Sequence, residues 1–167
     1  MNNKPYGAMQ IALHWLSAIV IIWALISGSS VALLNVSVAT AALVSFINVS
    51  LTTLLIPFFL LRLLLALKAA GPLPVTTMER LAAWAHRALY GVTLVVLVTG
   101  VLMMDRPINV LDWLTIPAPL ADTVLIGHFN RLHIWSCALL ALLVAVHIAA
   151  VIKHQWLGRN VLARMWF

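Results

Sequence analysis

Four long apolar runs constrain what this chain can fold into. They cover about residues 11–34, 41–67, 81–104 and 132–154, and a helix needs about 20 apolar residues to cross a bilayer. Unpaired backbone amides are costly in lipid, so only helices or closed barrels can span it. A barrel would show segments of about ten residues with alternating polarity, and these runs are continuous. The sequence therefore predicts an all-α membrane protein, an antiparallel bundle of four transmembrane helices forming one domain over residues 1–167.

The composition excludes a water-soluble globule. Of the 167 residues, 64% are hydrophobic and 8% charged, and the mean hydropathy is +1.09. A soluble domain has about a quarter of its residues charged. The net charge of +6 would suggest nucleic acid in a soluble protein, but here the cations mostly flank the apolar runs. We therefore expect membrane lipid as a partner and no nucleic acid.

The cations also predict an orientation. They cluster near both termini and in the connection after the second run, whereas the connection after the first run has none. Because loops rich in Lys and Arg stay in the cytoplasm, we expect both termini and the middle connection to be cytoplasmic. The residues behind this expectation are Lys4, Lys68, Arg80, Lys153, Arg159 and Arg164.

The connections contain their own signals. Residues 71–74, GPLP, should end the second helix, and Thr76 with Glu79 three residues later is typical of a capped helix start. The connection over residues 105–131 is long for a loop, so we expect a short interfacial helix within it. Cys137 lies inside the fourth run, where we expect a buried small apolar residue rather than a reactive thiol.

Histidines are the residues in and near these runs that could bind a metal or transfer protons. Ionisable side chains at membrane depth are costly and usually face the protein interior or a cofactor, and imidazole is a common axial ligand of heme iron. A hydrogen-bonded packing role is the alternative for each one, and zinc would need a compact four-ligand set that the sequence does not show. The six are His14, His86, His128, His133, His147 and His154.

The spacing in the fourth run favours heme. His133 and His147 are 14 residues apart, which leaves them about 40° short of four full helical turns and roughly 21 Å apart along the axis. His154 follows seven residues later on the same stripe. His14 lies near the cytoplasmic end of the first run, at a depth compatible with His147. We therefore expect His14 and His147 to bind one heme iron.

Several motifs resemble a known family. They are QIALHW in the first run, RLLLALK ending the second, LAAWAHRALYG in the third, and RLHIWSCALLALLVAVHIAAVIKHQW followed by NVLARM. Nearly the whole chain resembles the bacterial cytochrome b561 family of four-helix diheme membrane proteins. The histidine spacing in the fourth run is also similar to that of the cytochrome b subunits of formate dehydrogenases and hydrogenases.

The resemblance implies two heme sites. Its cytoplasmic-side ligands match His14 and His147. Its periplasmic-side ligands are an early second-helix histidine and a fourth-helix histidine that matches His133, but Asn48 stands at the second-helix position. An amide is a poor ligand for heme iron.

Three outcomes are open for this second heme. It is absent, it is bound through His133 alone with Asn48 holding a water or leaving a free position, or another side chain such as His128 or Met103 substitutes.

Supporting roles follow from the position of the remaining polar residues. Arg62, Lys68 and Arg87 are at the right depth to bind the propionates of the cytoplasmic-side heme, and snorkelling to lipid headgroups is the alternative for each. The resemblance also makes His86 and His154 candidates for a quinone site or for proton transfer to quinone, with packing as the alternative.

The function implied by the resemblance is heme b electron transfer with ubiquinone or menaquinone in a bacterial inner membrane. Some family members pass electrons from superoxide to ubiquinone, and superoxide would then arrive from the periplasmic side. One alternative is a cytochrome b subunit that relays electrons between quinone and a periplasmic oxidoreductase. A heme-free membrane scaffold is the other.

Overall fold

The computed structural model describes residues 7–69, 75–158 and 162–165. Lys4, the prolines of residues 71–74 and Arg159 lie outside the described residues. The described helices and strands are, in chain order, α1 (Ala8–Leu33), α2 (Val38–Lys68), α3 (Thr77–Leu102), β1 (Ile108–Val110), β2 (Leu114–Ile116), α4 (Thr123–Trp156) and the 3-10 helix Leu162–Met165.

Four helices in the described part of the chain are long and apolar enough to cross a membrane. The helix α1 packs against α2 and α3 packs against α4, with a lighter contact between α2 and α3. Large apolar side chains face outward, as lipid-facing helices require, and Leu33 is 82% exposed. The predicted all-α membrane fold with four spans is confirmed.

Two ends of the bundle can be distinguished. At the termini end, α1 begins, α2 ends, α3 begins and α4 ends. Trp15 Nε1 donates to the Met165 carbonyl at 2.8 Å, which attaches the 3-10 helix to the first turns of α1. At the other end, here called the hairpin end, β1 and β2 pair antiparallel.

The helix interfaces combine a small apolar core with small polar residues. Val20, Leu55, Phe59 and Leu97 bring α1, α2 and α3 together at mid-span. Small side chains let helices approach closely in lipid, where the hydrophobic effect does not drive their association. The buried polar residues are Ser17, Ser50, Thr93, Thr99 and Ser136.

The expectation of an interfacial helix within residues 105–131 was wrong, because the first part of this connection is a β-hairpin. Leu111 and Asp112 turn the chain with φ angles of 51° and 60°. Asn109 supports the turn, since its Oδ1 accepts from the Asp112 N–H at 2.9 Å. Ser50 fixes the hairpin to α2 by donating to the Asn109 carbonyl and accepting from the Leu111 N–H.

The last part of the same connection belongs to α4, which begins at Thr123 rather than near residue 132. Asp122 caps this helix, because its Oδ1 accepts from the N–H groups of Val124 and Leu125. The start of α3 follows the predicted capping pattern, with Thr76 Oγ1 accepting from the Glu79 N–H and Glu79 Oε2 accepting from the Thr76 N–H.

Candidate functional site

His14 and Arg62 meet at the termini end, between α1 and α2. Arg62 Nη2 lies 2.9 Å from His14 Nδ1. A guanidinium can only donate, so Nδ1 is the acceptor and the hydrogen of the neutral imidazole is on Nε2. The Arg62 guanidinium also lies over the Tyr90 ring of α3, 5.1 Å from its centroid. Arg62 therefore connects α1 and α3.

His86 and His147 meet at the same end, between α3 and α4. Their ring centroids are 5.6 Å apart and their planes are inclined by 70°. His86 and Tyr90 are four residues apart in α3, which puts them on one face of that helix. His14, Arg62, Tyr90, His86 and His147 therefore form one group with members from all four long helices, which we call the His–Arg cluster. Arg62, His147 and His86 are close enough to His14 to act on it electrostatically.

The His–Arg cluster contains a cation but no carboxylate. The sequence has only four acidic residues. Three of them follow α3 or precede α4, at the hairpin end, and the fourth accepts from the Val75 and Thr76 N–H groups at the start of α3. They are Asp105, Asp112, Asp122 and Glu79. Within the part of the chain that the structure describes, no carboxylate pairs with the Arg62 guanidinium, and an unpaired cation at this depth suits an anionic ligand.

The other residues with predicted roles at this end lie outside the cluster. The Arg87 guanidinium lies 5.5 Å from the centroid of the Trp84 ring, on the exposed face of α3. Lys68 is exposed in the last turn of α2. His154 lies in the last turn of α4, and its buried Nδ1 has no hydrogen-bond partner within the described ranges.

At the hairpin end, the residues of the predicted second site face different helices. Asn48 Oδ1 accepts from Ser27 of α1 at 3.0 Å. His133 Nδ1 lies 3.1 Å from both the Val96 carbonyl and Thr99 Oγ1 of α3.

The two side chains that were considered as substitute ligands of the second heme are His128 and Met103. His128 is exposed and its Nδ1 lies 3.1 Å from Arg131 Nη2. Met103 is the C-cap of α3 and is partly buried.

Comparison with known proteins decides the family. Residues 5–167 match the model of a family described as prokaryotic cytochrome b561. The chain belongs to this family. It is 31% identical over 169 residues to cytochrome b561 homolog 2 of Escherichia coli strain K12, a match that covers 95% of this chain and 90% of that protein. The resemblance seen in the sequence is thereby confirmed, and membership in the prokaryotic cytochrome b561 family implies heme b electron transfer.

The donor set at the termini end fits a heme b of this family. Among the residues that the structure describes, no group of three or more His, Cys, Asp or Glu side chains could hold a metal ion. A porphyrin supplies most ligands of its own iron, so the protein has to add only axial ones. The His–Arg cluster offers imidazoles from α1 and α4 beside a guanidinium suited to a propionate.

The donor set at the hairpin end does not fit a second heme of this family. One position holds an amide turned toward α1, and the other holds an imidazole hydrogen-bonded to α3.

Tyr90 is the member of the His–Arg cluster that reasoning from the sequence missed. Its signal was present, since it lies four residues after His86 in LAAWAHRALYG. What the sequence did not show is that Arg62 of α2 would lie over its ring.

Proposed function

We propose that this chain is a membrane electron carrier in which His14 and His147 hold one heme b at the termini end and exchange electrons with quinone there. The observation that supports the proposal most strongly is the His–Arg cluster, to which all four long helices contribute. Heme b supplies reversible one-electron chemistry when it is bound. The protein supplies ligation, charge compensation and proton transfer.

Arg62 has a double role in this proposal. An imidazole that binds a metal through Nε2 carries its hydrogen on Nδ1, so His14 Nδ1 can then no longer accept from Arg62. The guanidinium has five N–H donors and matches the fork geometry of a carboxylate. Stacking on Tyr90 keeps it in the cluster. It is therefore positioned to bind a propionate.

His86 is positioned to handle quinone protons. Its ring contacts His147 while the residue remains exposed at the surface of the bundle, where a quinone diffusing in lipid can reach it. Reduction of a quinone to a quinol takes up two electrons and two protons. Heme b, when bound, would supply the electrons one at a time, and the His86 imidazole would deliver protons to a quinone beside it at neutral pH. His154, whose buried Nδ1 has no hydrogen-bond partner among the described residues, is the second candidate for proton transfer at this end.

The charge distribution supports a bacterial inner membrane with the termini end in the cytoplasm. Arg62, Lys68, Arg80, Arg87 and Lys153 lie toward that end, where Glu79 is the one acidic residue of the sequence. The hairpin end has two arginines and three aspartates. This asymmetry follows the positive-inside rule.

Absorption spectra of the purified protein test the proposal. We expect the reduced protein to show a heme b band that His14→Ala and His147→Ala both abolish. His86→Ala is the matched control, because its ring contacts His147 but is not a proposed ligand, and it should keep the band. A wild-type chain without heme, or a His147→Ala variant with an unchanged band, would refute the ligand assignment.

Direct reduction by a quinol separates a freestanding carrier from a relay subunit. We expect a soluble quinol analogue to reduce the heme of the purified chain without any added protein. A strict requirement for a partner would support the relay subunit instead.

A further inference from the structure

Asn48 is engaged at the interface between α1 and α2. Its Oδ1 accepts from Ser27 Oγ at 3.0 Å. A Cβ atom on Gly28 would lie 3.8 Å from Asn48 Nδ2, an ordinary van der Waals distance, so the amide lies beside α1 at this glycine. The side chain is thus held by α1.

His133 is engaged at the interface between α3 and α4. Its Nδ1 lies 3.1 Å from the Val96 carbonyl, and a carbonyl only accepts, so Nδ1 carries the hydrogen of the neutral ring. That bond alone would leave Nε2 for a metal. However, Cys137 Sγ lies 3.4 Å from Nε2, one helical turn further along α4, and can donate to it.

Gly100 explains how closely the ring approaches α3. A Cβ atom at this position would lie 3.2 Å from His133 Cε1 and 3.5 Å from Nδ1. The absence of a side chain lets the imidazole pack onto the α3 backbone, where Thr99 Oγ1 is a further partner at 3.1 Å. Both ring nitrogens therefore have protein partners.

We infer that the hairpin-end half of this chain holds no heme, and that electrons both enter and leave at the termini end. The inference rests on the proposed function. The residues at the two ligand positions bond to different helices, one of them is an amide, and the two nitrogens of the imidazole have the Val96 carbonyl and Cys137 Sγ as neighbours.

The consequence concerns direction. His133 and His147 are 14 residues apart, roughly 21 Å along α4. An electron donor bound at the hairpin end would be separated from the heme at the termini end by this distance, with no redox centre between them. Quinone reaches the termini end by diffusing laterally through lipid, so the chain serves the quinone pool and partners on one side instead of conducting electrons across the membrane.

Heme content per chain tests the inference. We expect a pyridine hemochrome assay of monodisperse wild-type protein to give one heme per chain. His133→Gln should keep that heme and its spectrum, whereas His147→Ala should lose it. Two hemes in the wild type, or a loss on His133→Gln, would overturn the inference while leaving the proposed function standing. A wild type without heme would overturn both.

Asn48→His tests whether an imidazole alone is missing. We expect this variant to stay at one heme per chain, because His133 remains bonded to Val96 and Cys137. A rise to two hemes would show that those contacts do not close the site and would overturn that part of the argument.

Vesicles test the direction of transfer. The wild-type protein is placed in quinone-free phospholipid vesicles with ferricyanide inside and dithionite outside, an arrangement in which orientation does not matter. We expect ferricyanide to be reduced no faster than in protein-free vesicles. A reduction rate proportional to the amount of protein would overturn the inference.

Discussion

Arg62 should set the affinity of this bundle for heme. Arg62→Gln removes a guanidinium that is held 5.1 Å above the Tyr90 ring and 2.9 Å from His14. A hydrogen bond to a charged group contributes about 1.5–3 kcal/mol. Losing one such bond to a propionate should therefore raise the dissociation constant for heme about 10- to 150-fold. Arg62→Lys keeps the charge but loses the fork geometry, so we expect an intermediate value.

Arg87→Gln is the matched control for this prediction. Its guanidinium also lies over an aromatic ring at a similar distance, 5.5 Å from the Trp84 centroid, but on the exposed face of α3. An exposed charge contributes at most about 1 kcal/mol, so the change should stay within about fivefold. Heme transfer to excess apomyoglobin, followed by absorbance, measures the rate of heme loss from both variants, and most of a change in the dissociation constant lies in this rate. If Arg62→Gln and Arg87→Gln lose heme equally fast, Arg62 does not bind a propionate.

Three further predictions concern the hairpin, the start of α4 and the proton path. Ser50→Ala leaves the Asn109 carbonyl and the Leu111 N–H without their partner, so thermal unfolding should show a loss of about 1–3 kcal/mol. Ser45→Ala is the control, because Ser45 is more exposed and accepts one bond from Arg106 at 3.3 Å. It should lower the free energy of unfolding by less than about 0.5 kcal/mol, and equal losses in the two variants would contradict the hairpin contact. Asp122→Ala removes the N-cap of α4 and should lower the free energy of unfolding by about 1 kcal/mol. Amide hydrogen exchange at residues 123–131 should become faster, and unchanged exchange would show that the cap does not stabilise this segment. His86→Gln should keep the heme but slow its exchange of electrons with a quinol analogue about 100-fold, and an unaltered rate would exclude His86 from proton transfer.

The four spans were predictable because apolar length alone determines them in lipid. The β-hairpin was harder to predict, because hydropathy indicates which residues lie within the membrane and does not indicate where the chain turns. Asn109 and Asp112 did carry a signal, because Asn and Asp favour turns and tolerate positive φ. The sequence could not show that Ser50, 59 residues before Asn109, would bond the turn to α2.

The start of α4 shows a different limit. The polar residues after Asp122 lowered the hydropathy of this segment, so the apolar run identified the helix only from about residue 132. Asp122 is nevertheless a strong N-cap, and the helix begins directly after it. A hydropathy window finds the part of a helix that crosses lipid, whereas capping residues mark where its backbone hydrogen bonds begin.

The histidine stripe on α4 is weaker evidence for two hemes than its spacing suggests. His133 and His147 project in nearly the same direction from one helix. Their availability as heme ligands nevertheless depends on which groups of α3 lie beside each of them. At the level of His133, Gly100 exposes backbone that the imidazole packs against, and a carbonyl and a hydroxyl accept or share its hydrogen. At the level of His147, α3 presents the ring of His86, beside an arginine that has no carboxylate in the cluster. The spacing of residues along a helix determines the direction in which their side chains point. Whether an imidazole nitrogen remains available to bind a metal depends on the groups that the neighbouring helix places beside it.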